Sequence, residues 1–163
     1  MKPAIRSLSL VPLAYLFLGM AEKPPQITVR FYAEAMKQDS ETFSRPIMLK
    51  FPPREGYIEK VPVISEREFR AIYPFRAADG TWGCAFKLDE KGRMDLEMVS
   101  SSRRGTVLVA FVATKAGMNE AAELAIDAPV KDGIISIPSG ITELEMAELK
   151  KYYPVIGETK KKK

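Results

Sequence analysis

The sequence predicts an α+β protein: an antiparallel-rich sheet with two or three helices packed on one face. Three observations lead there. Short alternations such as Ile27-Val29-Phe31 and Trp82-Cys84-Phe86-Leu88 have the period of half-buried strands. Two Ser/Thr-x-x-Glu boxes, Ser65 to Glu68 and Thr142 to Glu145, have the spacing of helix starts. Turn residues at Asp79-Gly80, Asp132-Gly133 and Pro138-Ser139-Gly140 divide the segments closely enough for hairpin-like connections.

Residues 1–21 read as a signal peptide. Lys2 and Arg6 precede the apolar run 8–20, LSLVPLAYLFLGM, and Gly19 and Ala21 occupy small-residue positions ahead of Glu22. The run falls short of the roughly 20 residues that a membrane-crossing helix needs. The expectation is an exported chain, periplasmic or secreted, with a retained anchor as the alternative. Its folded part is expected as a single α+β domain over residues 22–154.

The N-terminal part of that domain, residues 27–64, is strand-rich. Ile27, Val29 and Phe31 give a first strand, and Ile47, Leu49 and Phe51 a second that Pro52-Pro53 ends. Tyr57 to Ile64 reads as an edge strand, because Pro62 cannot donate to a ladder. Ser65 to Glu68 then caps a short helix with Phe69, Ile72 and Tyr73, which Pro74 stops. Trp82 to Leu88 is a strand with its large side chains on one face. Asp89 to Gly92 is a turn, and MDLEMVSSSRR a helix with Leu96 and Val99 inward and Gly105 at its C-terminal cap. Residues 106–112, TVLVAFV, fit a central strand covered on both sides. Thr114 to Asn119 reads as a loop, followed by strand pieces around Leu124 and Ile126 and over 134–137. Thr142 opens a helix with Met146, Leu149 and Tyr153 on one face, and residues 155–163 form an unanchored basic tail.

Composition removes whole classes of chemistry. The 163 residues include no His, so Ser-His-Asp and Cys-His catalysis and His-rich zinc sites are out. No glycine-rich phosphate loop and no calcium-loop spacing occurs, so no cofactor is expected. The net charge of +4 belongs to the ends: without Lys2, Arg6 and Lys160 to Lys163, nineteen basic residues face twenty-one acidic ones. That body has no cationic surplus for a specific nucleic-acid partner. Lys160, Lys161, Lys162 and Lys163 remain as a candidate contact for an anionic surface, each worth about 1 kcal/mol before screening.

Cys84 shares its strand face with Trp82, Phe86 and Leu88, which argues for a buried structural thiol. Carboxylates cluster at Asp89-Glu90, Asp95-Glu97 and Asp127 with Asp132, where turns and helix starts want acids in any case. A catalytic pair would need two of them facing across a cleft. Ser100 to Arg104 reads as a solvated helix end whose cations complement the macrodipole.

The order from residue 82 to 153 resembles the head domain of the periplasmic loop of the SecD and SecF protein-export subunits. The residues behind the resemblance are Leu88, Asp89, Gly92, Gly105, Ile126, Pro129, Gly133, Ile135, Gly140, Thr142 and Glu145. Most are turns and caps. Residues 65–154 are the head-like part on this reading, and the Thr114 to Asn119 loop is longer than the family's tight turn. The resemblance implies a non-enzymatic domain outside the cytoplasmic membrane that contacts polypeptide or another envelope protein. An exported binding module working through an exposed strand edge is therefore the expectation. A small hydrolase using a carboxylate pair, and adhesion through the basic tail, are the alternatives.

Overall fold

In the computed structural model, which describes residues 26–36 and 42–157, strands dominate and two helices interrupt them. The order is β1 (Ile27–Ala33), β2 (Ser44–Lys50), β3 (Pro53–Glu59), β4 (Phe69–Arg76), β5 (Trp82–Leu88), α1 (Glu90–Ser102), β6 (Val107–Thr114), β7 (Gly117–Ala125), β8 (Ile134–Ile141) and α2 (Glu143–Tyr152). The α+β class stands, but the strands divide over three antiparallel sheets and not one: β1-β6-β7, β2-β3 and β4-β5-β8.

The apolar run 106–112 becomes β6, between β1 and β7. Its alternate residues serve two cores. Leu108, Ala110 and Val112 join Ile27, Val29 and Phe31 of β1, Cys84 and Phe86 of β5, and residues of β4, β8 and both helices in the main core. Val107, Val109 and Phe111 point the other way, meeting Tyr32, Leu49 and Ile58 beneath the β2–β3 hairpin. Burial of each such Ile, Leu or Phe contributes about 1.5–3 kcal/mol. Phe31, Phe69 and Phe86 meet at the centre of the main core, with Phe69 and Phe86 stacked at 4.6 Å.

The helices leave opposite ends of the β5–β8 ladder, where Lys87 pairs with Ile134 and Trp82 with Ile141. Asp89 is the N-cap of α1, accepting from the Gly92 amide, so the expected turn at 89–92 is the helix's first turn. Leu96 and Val99 face inward as expected. Thr142 and Glu145 form a full capping box on α2, which buries Met146 and Leu149.

Three expectations about the strands and turns are corrected. Ser65 and Glu68 form half of the box, the Glu68 carboxylate accepting from the Ser65 amide and hydroxyl at 2.8 and 2.7 Å, but no helix follows. Residues 69–76 pair with β5 instead, burying Phe69 and Ile72. Pro74 fits there because its missing N–H lies on the outer side, the side from which Ile72 bonds to Pro154 and Ile156. The loop at Thr114 to Asn119 is a tight turn in which Thr114 pairs directly with Gly117. The edge strand over Tyr57–Ile64 is β3, starting at Pro53 and ending before Pro62.

The tail is anchored at its start. The Ile72 amide donates to Pro154 at 2.9 Å and the Ile156 amide to Ile72 at 2.8 Å, bringing Val155 beside β4 as a parallel bridge. Residues 1–21, read as a signal peptide, and Lys160 to Lys163 lie outside the described residues.

Candidate functional site

Apart from the exposed Asp127, the described side chains singled out as chemical candidates have structural roles. Cys84 is fully buried, and burial pushes its thiol up to about 12. Asp89 caps α1 and accepts from Arg70 at 2.9 Å, Asp95 pairs with Lys91, and Glu90 and Glu97 both pair with Arg93. These acids lie along one helix and do not face one another across a cleft. Asp132 accepts from the Ile134 amide in the turn before β8. No group of three metal-ligating residues occurs among the described residues.

Ser100 to Arg104 is more than a solvated end. The buried Ser100 hydroxyl donates to the Glu97 carbonyl at 3.2 Å and accepts from the Val130 amide at 2.8 Å. Arg103 donates to the Glu34 carbonyl at 2.8 Å and to the Glu59 carboxylate, tying α1 to β3.

The binding expectation rested on an uncovered strand edge, so the edges matter. Beyond β1, the amides of Phe31 and Val63 exchange bonds with Ile64 and Phe31 at 2.9 and 2.8 Å. Beyond β3, the Ala35 amide donates to Tyr57 at 2.8 Å. β4 has Pro154 to Ile156. Since the Lys60 amide bonds to Phe43 across the β2–β3 ladder, alternation turns the backbone of Pro46, Met48 and Lys50 outward on β2. Pro46 offers no N–H there, and the Lys50 and Phe51 amides donate to the Glu123 carboxylate at 2.7 and 3.1 Å. On β8, the bond from Leu88 to Gly133 places Ser136 and Pro138 outward. Pro46, Pro74 and Pro138 thus each remove a donor that an added strand would need. β7 contains no proline.

The hairpin compensates with exposed apolar side chains, Met48 and Tyr57 on its outer face and the rest beside the strands. Phe43, Met48, Phe51, Tyr57 and Val61 all lie on β2–β3 or its flanks, from 48% exposed at Tyr57 to 78% at Phe51. Two hollows mark this face. One of about 350 Å³ lies between Pro46, Met48, Glu55 and Tyr57, and another of about 360 Å³ between Phe43, Lys60 and Val61. Large apolar side chains gathered on one small sheet are the usual mark of a contact surface.

Charges hold the hairpin in place. Arg54 donates to both oxygens of the Glu34 carboxylate at 2.5 and 2.8 Å, and this hydrogen-bonded partner raises the arginine's pKa. Lys50 pairs with Glu120 at 2.7 Å. The Arg45 guanidinium lies 5.2 and 5.1 Å from the ring centres of Tyr32 and Phe111, between the hairpin and the sheet below. Sequence reasoning missed this face. The available signal was the apolar Met48 set between Ile47 and Leu49, which makes both sides of β2 apolar.

Sheets of this kind with two helices define an α+β architecture in which strands predominate. No protein-family model matches the chain, and no curated protein matches it. Among solved structures, one of SecDF, a membrane component that enhances protein export, superposes with a TM-score of 0.51 at 12% identity, over 77% of this chain and 60% of that one. A second, of SecDF in its super-membrane-facing form, gives a TM-score of 0.46 at 12% identity, over 76% of this chain and 18% of that one. This chain therefore spans less than two thirds of the first SecDF chain. The likeness is one of fold, and it reaches well beyond the half of the chain with the sequence resemblance. No helix among the described residues is long and apolar enough to cross a membrane.

Proposed function

We propose that this chain is an exported, non-enzymatic binding module, periplasmic or secreted, that contacts polypeptide or another cell-envelope protein through the outer face of the β2–β3 hairpin. The observation behind this reading is the exposure of Met48 and Tyr57 on the hairpin's outer face, with Phe43, Phe51 and Val61 exposed beside the strands. The likeness to SecDF supports it at the level of fold, and the leader over residues 1–21 supports the compartment. The acids from Asp89 to Glu97 have structural partners and Cys84 is buried in the core, which favours binding over catalysis.

A labelled, permanently unfolded polypeptide titrated against the full chain tests the reading. The double variant Met48→Ser, Tyr57→Ser removes two anchors and should weaken binding at least about tenfold. Both residues are exposed, so the melting temperature should hold. Equal binding by variant and parent would remove the hairpin from the proposal. Recovery of the intact, unprocessed chain from the cytosol would remove the exported half of it.

A further inference from the structure

The sheet β4-β5-β8 has one side that no described element covers. On the other side Ile72, Phe86 and Ile135 share the main core with Leu96 and Val99 of α1 and Met146 and Leu149 of α2. Alternation sends their neighbours outward. Tyr73, Ala85 and Ser136 form one outward row across the three strands, and Ala71, Lys87 and Ile134 the next. The segment after α2 widens this surface: Val155 bridges Ile72 and packs inward, so Ile156 emerges beside Tyr73.

The face is apolar, and its charge has one sign. Tyr73, Ile134 and Ile156 are 53%, 44% and 45% exposed. The Phe75 ring lies across the middle strand at Gly83, where an added Cβ would stand 2.3 Å from it. β4, β5 and β8 contain no Asp or Glu. Lys87 is exposed and has no carboxylate partner among the described residues. At the margin the Asp132 carboxylate accepts from the Ile134 amide and stands next to the exposed Lys131. From Gly157 the chain continues through Glu158 and Thr159 into Lys160, Lys161, Lys162 and Lys163. Lys160 follows Gly157 by three residues, a reach of about 10 Å even when fully extended. Four cations are therefore tethered at the border of the apolar face.

We infer that the outer face of β4-β5-β8 docks on an anionic phospholipid bilayer. Tyr73, Ile134 and Ile156 enter the headgroup layer, while Lys87 and Lys160 to Lys163 meet lipid phosphates. A tyrosine, with an apolar ring and a polar tip, suits that layer. Apolar area and basic charge add their effects in binding at a membrane surface. A second copy seated face to face would set Lys87 and the lysine run against their own kind, and a nucleic acid would leave the apolar side chains without a partner. This inference goes beyond the polypeptide reading and shares no residue with the hairpin face.

The probe is a vesicle of phosphatidylglycerol and phosphatidylcholine in equal parts, compared with phosphatidylcholine alone. Co-sedimentation is followed with residues 22–163, which keep every described residue and lack the apolar leader. The anionic vesicle should bind at least about tenfold more tightly than the neutral one. Tyr73→Ser with Ile134→Ser should weaken that binding about tenfold, and so should Lys160→Gln, Lys161→Gln, Lys162→Gln and Lys163→Gln together. Lys87→Gln should weaken it about fivefold, and Met48→Ser with Tyr57→Ser should leave it unchanged. Equal affinity for the two vesicles overturns the inference, and that comparison uses unaltered side chains, so it stands even if a face variant unfolds. Weakening by the tail variant alone, with Lys87→Gln and the Tyr73 and Ile134 variant binding like the parent, assigns adhesion to the lysine run and overturns the docking face. Without vesicle binding, self-association abolished by Tyr73→Ser with Ile134→Ser would give the face to a second copy. Loss of unfolded-polypeptide binding in that variant would give it to a polypeptide, and either result overturns the membrane.

Discussion

At the centre of the main core Phe31, Phe69 and Phe86 touch one another and are ringed by aliphatic side chains from both helices and two sheets. Under the hairpin the apolar contact is thinner, with Tyr32 and Phe111 edge to face and few aliphatic neighbours. Ionic ties make up the difference: Arg54 on Glu34, Arg103 on Glu59, Lys50 on Glu120. Burial is close to indifferent to salt, whereas partly exposed ion pairs weaken with it. The hairpin is thus expected to open at lower free energy than the main body, and it also carries exposed apolar side chains. Contact surfaces are commonly drawn from such low-stability regions.

Three variants would break or sharpen this contrast. Phe86→Ala strikes the main core, removing both ring contacts and leaving a cavity; urea denaturation should show a loss of about 3–5 kcal/mol. A loss comparable to a surface substitution would mean that the main core does not dominate. Arg54→Met strikes the hairpin and leaves the Glu34 carboxylate, 11% exposed, without its guanidinium. Because Arg54 itself is 39% exposed, the cost should be only about 1–2 kcal/mol. Hydrogen exchange should accelerate in β2 and β3 while β5 and β6 amides keep their rates; uniform acceleration would show that hairpin and core open together.

The smallest effect belongs to an ion pair on the main body. Burial alone would push the Glu66 carboxyl up, but the paired hydrogen bonds from Arg30, at 3.0 and 2.9 Å, outweigh it and hold the group below its usual value of 4.5. A carboxylate depressed in the folded state stabilises at pH values above its unfolded pKa, and that stabilisation fades as pH falls through the folded value. Glu66→Gln should therefore cost up to about 1 kcal/mol near neutral pH, and parent and variant should converge in acid. A gap that stays constant with pH would exclude the Arg30 pairing as its source.

Strands with one wet face were readable. β1, β5 and the doubly covered β6 follow from the spacing of Ile27, Phe86 and Val109 and their neighbours, and α2 from its capping box. β4 was not, because Ser65 and Glu68 make the same local bonds whether or not a helix follows, and only pairing with β5 decides. β7 was hidden for another reason. A bulge opposite Phe111 shifts its register, and Glu120 and Glu123 serve Lys50 and the hairpin amides, so no apolar alternation survives. The hairpin face and the outer face of β4-β5-β8 depend on which side of each strand finds a partner, a property of the assembled sheets. Pro74 and Pro138 were visible as punctuation, but their guarding role, and that of Pro46, appears only with the registers.

Filament growth by strand stacking requires every molecule to accept a neighbour on two sides. With prolines that donate no N–H on three margins, and the outer bonds of β3 and of Phe31 on β1 already made, this protein interrupts most of its edges among the described residues. A neighbouring molecule would find only short runs of ladder there, which works against the repeated addition that builds fibres.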